Sequence, residues 1–203
     1  MKRVLTGLAV LALLATPALA QAATDARILT SLGEIDLALD QAHAPFTTCN
    51  FVRYARAHAY DGGSFFRVVS SAHPDKNPAP IDVVQAQTPR GSDDASLGTV
   101  RMEGTRQTGL HHLAGTVSMA RDAPDSAGSS FFIVTKDSLN LDEGGPRNPD
   151  GRGFAAFGRV TRGLDIARRI EAMPAKDDIL AAPVEIRTLT VSPSLTKACG
   201  SPR

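Results

Sequence analysis

Two aromatic segments contain the residues that are best suited to chemistry in this sequence. Arg67 follows Phe65 and Phe66 inside an otherwise apolar segment, and Phe131 and Phe132 follow a Gly-Ser-Ser turn. A guanidinium is a permanent cation with a planar fork of N–H donors. The residues alone leave two interpretations open for Arg67, a functional cation or an outward-facing side chain on an edge strand. The aromatic pair alone favours a core position.

The familiar catalytic motifs are missing from the sequence. It has no Gly-x-Ser-x-Gly elbow, no His-Glu-x-x-His motif and no Gly-rich phosphate loop after a strand. The five histidines, at positions 43, 58, 73, 111 and 112, have no Cys or acidic partner at metal-ligand spacing. We therefore interpret them as surface or turn residues and expect no metal site. The acidic residues fall mostly in turns and on polar strand faces, where solvated positions are expected.

The hydrophobic pattern predicts many short strands and two helices. Ile35, Leu37 and Leu39 alternate with polar or small residues, which is typical of a half-buried strand. This strand forms the second arm of a predicted hairpin over residues 27–40. Further strands are predicted at 64–69, 81–86, 115–120, 130–135, 154–160 and 184–191. Turn residues separate them, and the Pro-rich segment 70–80 is predicted to be a surface loop. This pattern favours a closed antiparallel barrel, with a sandwich as the alternative.

Two amphipathic segments are predicted to be helices. The first spans residues 45–59, with Pro45 in its first turn. Its apolar face is predicted to include Phe51, Tyr54, Ala55 and His58. The second spans residues 164–173.

The first 20 residues are predicted to be a secretory signal peptide. A basic start at Lys2 and Arg3 precedes a short apolar run and an Ala-Leu-Ala cleavage pattern. The run is too short to span a bilayer, so no membrane association is expected after cleavage. Residues 21–203 would then form one domain with 20 basic and 21 acidic residues. This balance, without a basic block, argues against nucleic acid as a partner. We expect a monomer in a bacterial periplasm.

Five segments together resemble the signatures of the cyclophilin-type peptidyl-prolyl cis–trans isomerases, in the family's order. They are 43–52 (HAPFTTCNFV), 64–69 (SFFRVV), 115–121 (GTVSMAR), 126–133 (SAGSSFFI), and 157–160 with 163–165 (FGRV and GLD). The resemblance extends over residues 27–191 and is similar in style to the periplasmic bacterial branch. It implies a mostly-β fold, a closed eight-stranded antiparallel barrel capped by two α-helices. It also implies an external groove that binds proline-containing peptides, without a metal or cofactor.

The resemblance also implies roles for individual residues. Arg67 would be the catalytic cation, and Gln85 would hold the substrate carbonyl or orient Arg67. The remaining implied substrate-binding residues line a proline pocket and the groove that leads to it: Phe65, Val83, Ala120, Arg121, Phe132, Leu141 and Phe154.

Several positions depart from the family's pattern. The 70–80 loop is longer than usual, and Asp82 stands where an aromatic pocket residue is expected, although Ile81 could substitute by a one-residue shift. Ser130 replaces a Gln, and Asn140 replaces an aromatic. The retained residues predict an isomerase that acts during the folding of exported proteins. The alternative is a catalytically weak peptide-binding chaperone or assembly module on the same fold.

The two cysteines leave a further alternative open. Cys49 lies in the first predicted helix and Cys199 in a polar tail beyond the last strand. An exported compartment permits a disulfide between them, but the sequence does not fix the distance that separates them.

Overall fold

The computed structural model describes residues 24–199, so the predicted signal peptide lies outside the described residues. The strands are β1 (Ala26–Thr30), β2 (Gly33–Leu39), β3 (Gly63–Val69), β4 (Asp82–Gln87), β5 (Thr116–Met119), β6 (Phe131–Lys136), β7 (Ala155–Arg162), β8 (Ala175–Lys176) and β9 (Ile179–Val191). The helices are α1 (Pro45–Arg56), α2 (Thr105–Thr108), α3 (Leu164–Glu171) and α4 (Pro193–Ala198), with a 3-10 helix at Leu139–Leu141.

Eight of the strands form a closed antiparallel barrel. Their order is β1-β2-β7-β5-β6-β4-β3-β9, and β1 pairs with β9 to close the circle. This closure confirms the predicted barrel and removes the sandwich alternative. The short strand β8 forms a hairpin with the start of β9. β9 therefore begins at Ile179, five residues before the predicted start at 184.

The barrel interior is filled by alternate residues of each strand. On β2, Ile35, Leu37 and Leu39 are buried as the alternation predicts. On β6, Phe131 and Ile133 belong to the interior core, whereas Phe132 and Val134 belong to a second apolar cluster outside the barrel. The unbroken apolar run of β6 therefore reflects burial on both of its faces.

The two predicted helices pack on the barrel, with one correction at the end of α1. Phe51, Tyr54 and Ala55 are buried on the α1 face as predicted. His58 is not on that face, because α1 ends at Arg56 and His58 adopts a left-handed turn conformation with φ 54°. No helix among residues 24–199 is long and apolar enough to cross a membrane.

The C-terminal segment is not the polar tail that the sequence suggests. Ser192 caps α4 by accepting a hydrogen bond from the Leu195 amide, and Leu195 is buried against the core. This helix places Cys199 beside α1, where it forms a disulfide with Cys49.

Several acidic residues are buried, contrary to the expectation of solvated positions. Glu103 is 1% exposed and accepts hydrogen bonds from the backbone amides of Phe46 and Thr47 and from the Thr47 hydroxyl. Its carboxylate therefore satisfies free N–H groups at the start of α1 from a distant part of the chain. Asp36 lies between Arg27 and Arg162, and hydrogen bonding from Arg27, opposed by burial, lowers its pKa.

Candidate active groove

An apolar cluster on the outside of the barrel forms the floor of an open groove of about 280 Å³. The buried members of the cluster come from β3, β4, β6 and the adjoining loops, and Ala120 and Phe154 pack against it. The buried members are Val69, Ile81, Val83, Phe132, Val134 and Leu141. An apolar hollow of this kind can accept a small nonpolar ring and remove it from water.

A β-bulge determines which face of β3 presents Arg67 to this groove. Residues two apart on a regular strand share a face, so Arg67 would point into the barrel together with Phe65. The register of β3 shifts between Phe65 and Arg67 against both β4 and β9. The extra residue, Phe66, reverses the alternation, which leaves Phe65 inside and turns Arg67 outward. Because β3 is paired on both sides, Arg67 is not on an edge strand.

The guanidinium of Arg67 is held on two sides. Nη1 donates to Oε1 of Gln85 at 3.1 Å, and Nε and Nη2 both donate to Oδ2 of Asp178 at 3.1 and 2.8 Å. Nη2 also lies 3.4 Å from Oδ2 of Asp75. Arg67 therefore presents its Nη1 edge to the groove, while acidic residues occupy the opposite edge.

Gln85 is fixed in turn by the residue that departs from the family's pattern. Its amide nitrogen donates to the Ser130 hydroxyl at 3.0 Å, and that hydroxyl donates to the Ala86 carbonyl at 2.8 Å. These contacts orient the Gln85 carbonyl oxygen toward Arg67. Ser130, which stands where the family has Gln, thus links the Gln85 side chain to the backbone of β4 by hydrogen bonds.

Phe132 forms the central wall of the apolar hollow. It contacts the Phe154 ring edge to face at a centroid distance of 5.4 Å, and the ring of His112 stacks behind it at 6.0 Å. His112 is fully buried, so its interpretation as a surface or turn residue is wrong. It was missed because the contact with Phe132 joins residues from different strands and loops.

His112 is held in its neutral form by its surroundings. Its Nδ1 contacts Oδ1 of Asp142 at 2.6 Å and its Nε2 contacts the Ser118 hydroxyl at 2.9 Å. A proton on Nδ1 would donate to the carboxylate and leave Nε2 to accept from Ser118. Burial lowers the pKa of His112, although the bond to Asp142 opposes this effect. Burial would raise the pKa of Asp142, but hydrogen bonds from His112 and His111 lower it overall.

The other end of the groove is lined by Ala120 and Arg121. Nη1 and Nη2 of Arg121 bind Asp150 at 2.8 and 3.0 Å, and its guanidinium lies 5.4 Å from the Phe154 ring centroid. Hydrogen bonding from Arg121 lowers the pKa of Asp150. The Ala120 amide already donates to the Ser130 carbonyl. Arg121 therefore forms a wall of the groove, and its charge is paired with Asp150.

The 70–80 loop is attached to Arg147, a residue that lines the groove, through a network of charges. Arg147 binds both oxygens of Asp75 and the Ala79 carbonyl, and its own carbonyl accepts from Asn77. Burial would raise the pKa of Asp75, but the bond from Arg147 and nearby positive charges lower it overall. Asn140 donates to the Pro80 carbonyl at 2.8 Å, which fastens the loop next to Ile81.

Most of the predicted site residues meet in this one groove. Those that line it are Arg67, Val83, Gln85, Ala120, Arg121, Phe132, Leu141 and Phe154. Phe65 does not line it, because its side chain is fully buried in the barrel core against Phe131. Ile81 lines the groove whereas Asp82 does not, as the one-residue shift anticipated.

The sequence did not reveal Asp75, Asp178, Arg147 and His112. The acidic pair at 177 and 178 had a visible turn preference, but nothing local connected it with Arg67. Among residues 24–199, no group of three or more His, Cys, Asp or Glu side chains is arranged to hold a metal ion.

Comparisons with known proteins agree on one family. A family model described as "Cyclophilin type peptidyl-prolyl cis-trans isomerase/CLD" matches residues 26–191. A peptidyl-prolyl cis-trans isomerase of Streptomyces antibioticus is 34% identical over 170 residues, covering 80% of this chain and 95% of that protein. Peptidyl-prolyl cis-trans isomerase A of Dickeya dadantii is 36% identical over 160 residues, covering 78% of this chain and 76% of that protein.

A solved structure shares the fold. It is a cyclophilin-type peptidyl-prolyl cis-trans isomerase of Cryptosporidium parvum, determined in the presence of the dipeptide Ala-Pro. Its TM-score is 0.62 at 20% sequence identity, and the match covers 83% of this chain and 98% of that chain. At this identity the similarity concerns the fold alone.

Proposed function

We propose that this chain, which belongs to the cyclophilin-type peptidyl-prolyl cis-trans isomerase family, catalyses Xaa-Pro isomerisation in exported proteins as they fold. The family assignment makes it a peptidyl-prolyl isomerase. The proposal adds the roles of individual residues, the class of client and the compartment. The observation that best supports it is that Arg67 lines the same groove as Phe132, with its Nη1 bonded to the groove residue Gln85.

Isomerisation of an Xaa-Pro bond requires no covalent step by the protein. A peptide bond resists rotation because the nitrogen lone pair is shared with the carbonyl, with a barrier of about 18–20 kcal/mol. Uncatalysed exchange takes roughly 10–100 s. An acceleration of about 10⁵ requires only ~7 kcal/mol of stabilisation that is specific to the transition state. A groove without a nucleophile or an acid–base pair can provide this.

The apolar hollow and Arg67 would have different roles in the reaction. The hollow formed by Phe132, Val83 and Leu141 would hold the proline ring still while the preceding residue rotates. Among residues 24–199, Nη1 of Arg67 donates to Gln85 alone, so one N–H remains for the prolyl nitrogen or the adjoining carbonyl. A hydrogen bond to that nitrogen localises its lone pair and weakens the double-bond character as the bond twists.

Export is supported by two separate features. The basic and apolar pattern of residues 1–20 matches a secretory signal peptide. The disulfide between Cys49 and Cys199 suits an oxidising compartment such as the periplasm. Mass spectrometry of periplasmic protein should find the N-terminus at Gln21 or within a few residues of it. Full-length protein retained in the cytoplasm would contradict the assignment.

A protease-coupled assay on a short Xaa-Pro peptide tests the activity. The unmodified protein should accelerate isomerisation, and Arg67→Ala should reduce kcat/KM about tenfold or more. Arg159→Ala is the matched control, because Arg159 is an exposed arginine on β7 outside the groove. Its activity should equal that of the unmodified protein. An Arg67→Ala variant that is fully active would show that another group supplies the charge.

The same samples separate catalysis from binding alone. Titration with the Xaa-Pro peptide measures affinity independently of turnover. Binding without acceleration would instead support a peptide-binding chaperone or assembly module. Light scattering on the same protein should give the mass of a monomer.

A further inference from the structure

We propose that Asp178 is a positioning residue that aims Arg67 at the substrate. This inference rests on the proposed catalytic role of Arg67 and deepens it. Asp178 is the second residue of the two-residue turn between β8 and β9, far from Arg67 in sequence. Its side chain is 18% exposed and its Oδ2 accepts from both Nε and Nη2 of Arg67.

The turn itself does not require an aspartate at position 178. Asp177 and Asp178 have φ values of 50° and 63°, the left-handed pair that a tight hairpin turn needs. Asn, Asp and Gly all suit such positions. The carboxylate of Asp177 is exposed, whereas that of Asp178 contacts the guanidinium. The contact with Arg67 therefore accounts for a carboxylate at 178 better than the turn geometry does.

The hairpin is firmly attached to the strand that contains Arg67. The Asp178 carbonyl accepts a hydrogen bond from the Val68 amide at 2.8 Å, and Arg67 lies opposite Ile179 in the β3–β9 register. The backbone of the turn thus moves together with β3. An acceptor on this rigid support can fix the long Arg67 side chain, which would otherwise sample several rotamers.

The geometry of the contacts assigns the two edges of the guanidinium to different tasks. Asp178 binds the Nε–Nη2 edge, and Asp75 adds a longer contact of 3.4 Å to Nη2. The Nη1 edge is left to face Gln85 and the groove. Holding one edge in place orients the planar fork so that the other edge reaches the substrate. Because a guanidinium stays charged, the effect of Asp178 is on the orientation of the Arg67 guanidinium and not on its charge.

Three variants separate positioning from a role in the turn. Asp178→Gly removes the carboxylate while suiting the left-handed backbone, and we expect kcat/KM for an Xaa-Pro peptide to fall about tenfold. Asp178→Asn keeps an oxygen acceptor and the turn, and we expect it to stay within about threefold of the unmodified protein. Asp177→Gly makes the same backbone change without a contact to Arg67, and it should have unchanged activity. All three should melt at similar temperatures.

A spectroscopic measurement tests the contact independently of turnover. The Nε–H resonance of Arg67 in ¹⁵N NMR, identified by its loss in Arg67→Lys, should exchange slowly with solvent in the unmodified protein. It should exchange faster in Asp178→Gly but not in Asp177→Gly. An inactive unmodified protein would refute the proposed function, while the resonance would still report on the contact. Normal or increased kcat/KM in Asp178→Gly, or an unchanged resonance, would overturn the positioning role.

Discussion

The disulfide between Cys49 and Cys199 gives the sharpest prediction about stability. It joins α1 to the residue that follows α4 across a sequence separation of 150 residues. The loop that it closes contains every strand from β3 to β9. Because the sequence has only these two cysteines, reduction perturbs a single bond, and the double substitution Cys49→Ser with Cys199→Ser removes it permanently.

The expected magnitude follows from the length of the closed loop. In the chain-entropy treatment, a cross-link over about 150 residues removes entropy from the unfolded chain equivalent to ~5 kcal/mol at 25 °C. Measured effects often fall below this value, because the bond distorts the native geometry or because the unfolded chain retains structure. Besides the disulfide, the buried Leu195 and the Ser192 cap hold α4 in place. We therefore expect reduction to lower the free energy of unfolding by about 2–5 kcal/mol.

Urea unfolding followed by far-ultraviolet circular dichroism measures the effect. The midpoint should decrease by about 1–2 M when the protein is reduced, and the double serine variant should match the reduced protein. Reductant should leave the double variant unchanged, which controls for other effects of the reagent. Isomerase activity in dilute urea should persist, since neither cysteine lines the groove around Phe132.

Two results would refute this reasoning. A loss of less than about 1 kcal/mol on reduction would show that closure of the long loop does not constrain the unfolded chain as the entropy argument requires. Two reactive thiols in denatured, unreduced protein would show that the bond between Cys49 and Cys199 is not formed.

Three further perturbations test the packing and electrostatics. Glu103→Ala should lower the free energy of unfolding by about 1–3 kcal/mol in urea titrations because it leaves amides at the start of α1 unpaired; an unchanged midpoint would contradict this. Burial lowers the pKa of folded His112. As the pH falls below about 6.5, His112 is therefore protonated in the unfolded chain before it is protonated in the folded protein. Stability should therefore fall from pH 7 to pH 5, with a shallower slope in His112→Gln; equal slopes would exclude His112 as the cause. Phe132→Leu should lower both the melting temperature, because the side chain is buried, and the kcat/KM of the folded protein. Phe65→Leu should lower the melting temperature and leave the activity of the folded protein unchanged; the reverse pattern in activity would contradict their assigned places.

The fold could be predicted largely from local patterns, because barrel strands and amphipathic helices repeat with fixed periods. The alternation of Ile35, Leu37 and Leu39 identified a half-buried strand, and the apolar face of Phe51, Tyr54 and Ala55 identified a helix. The missed elements are those without such a period. β8 has two residues and α4 has six, so each depends on tertiary contacts rather than on a repeated pattern.

The groove was predictable to the extent that its residues belong to recognisable segments. Arg67 and Phe132 lie in segments that resemble the family's signatures, whereas Gln85 lies in a segment that departs from them. The structure brings all three residues to one groove. Phe65 was misplaced because a bulge at Phe66 separates it from Arg67, and an extra residue in a ladder has no distinctive composition here. The interior and exterior faces of β3 exchange at that single position.

The charged residues around Arg67 could not be predicted because they meet Arg67 only in the folded chain. Asp178 lies 111 residues from Arg67, and in the sequence it is simply one of two adjacent aspartates in a turn. Asp75 belongs to the loop that appeared to be a departure from the family's pattern, yet it links Arg67 with Arg147. Both carboxylates sit on segments whose positions depend on barrel closure. A cation in an apolar strand should therefore prompt a search for acids in spatially adjacent turns, since a partly buried guanidinium needs partners that its own strand does not provide.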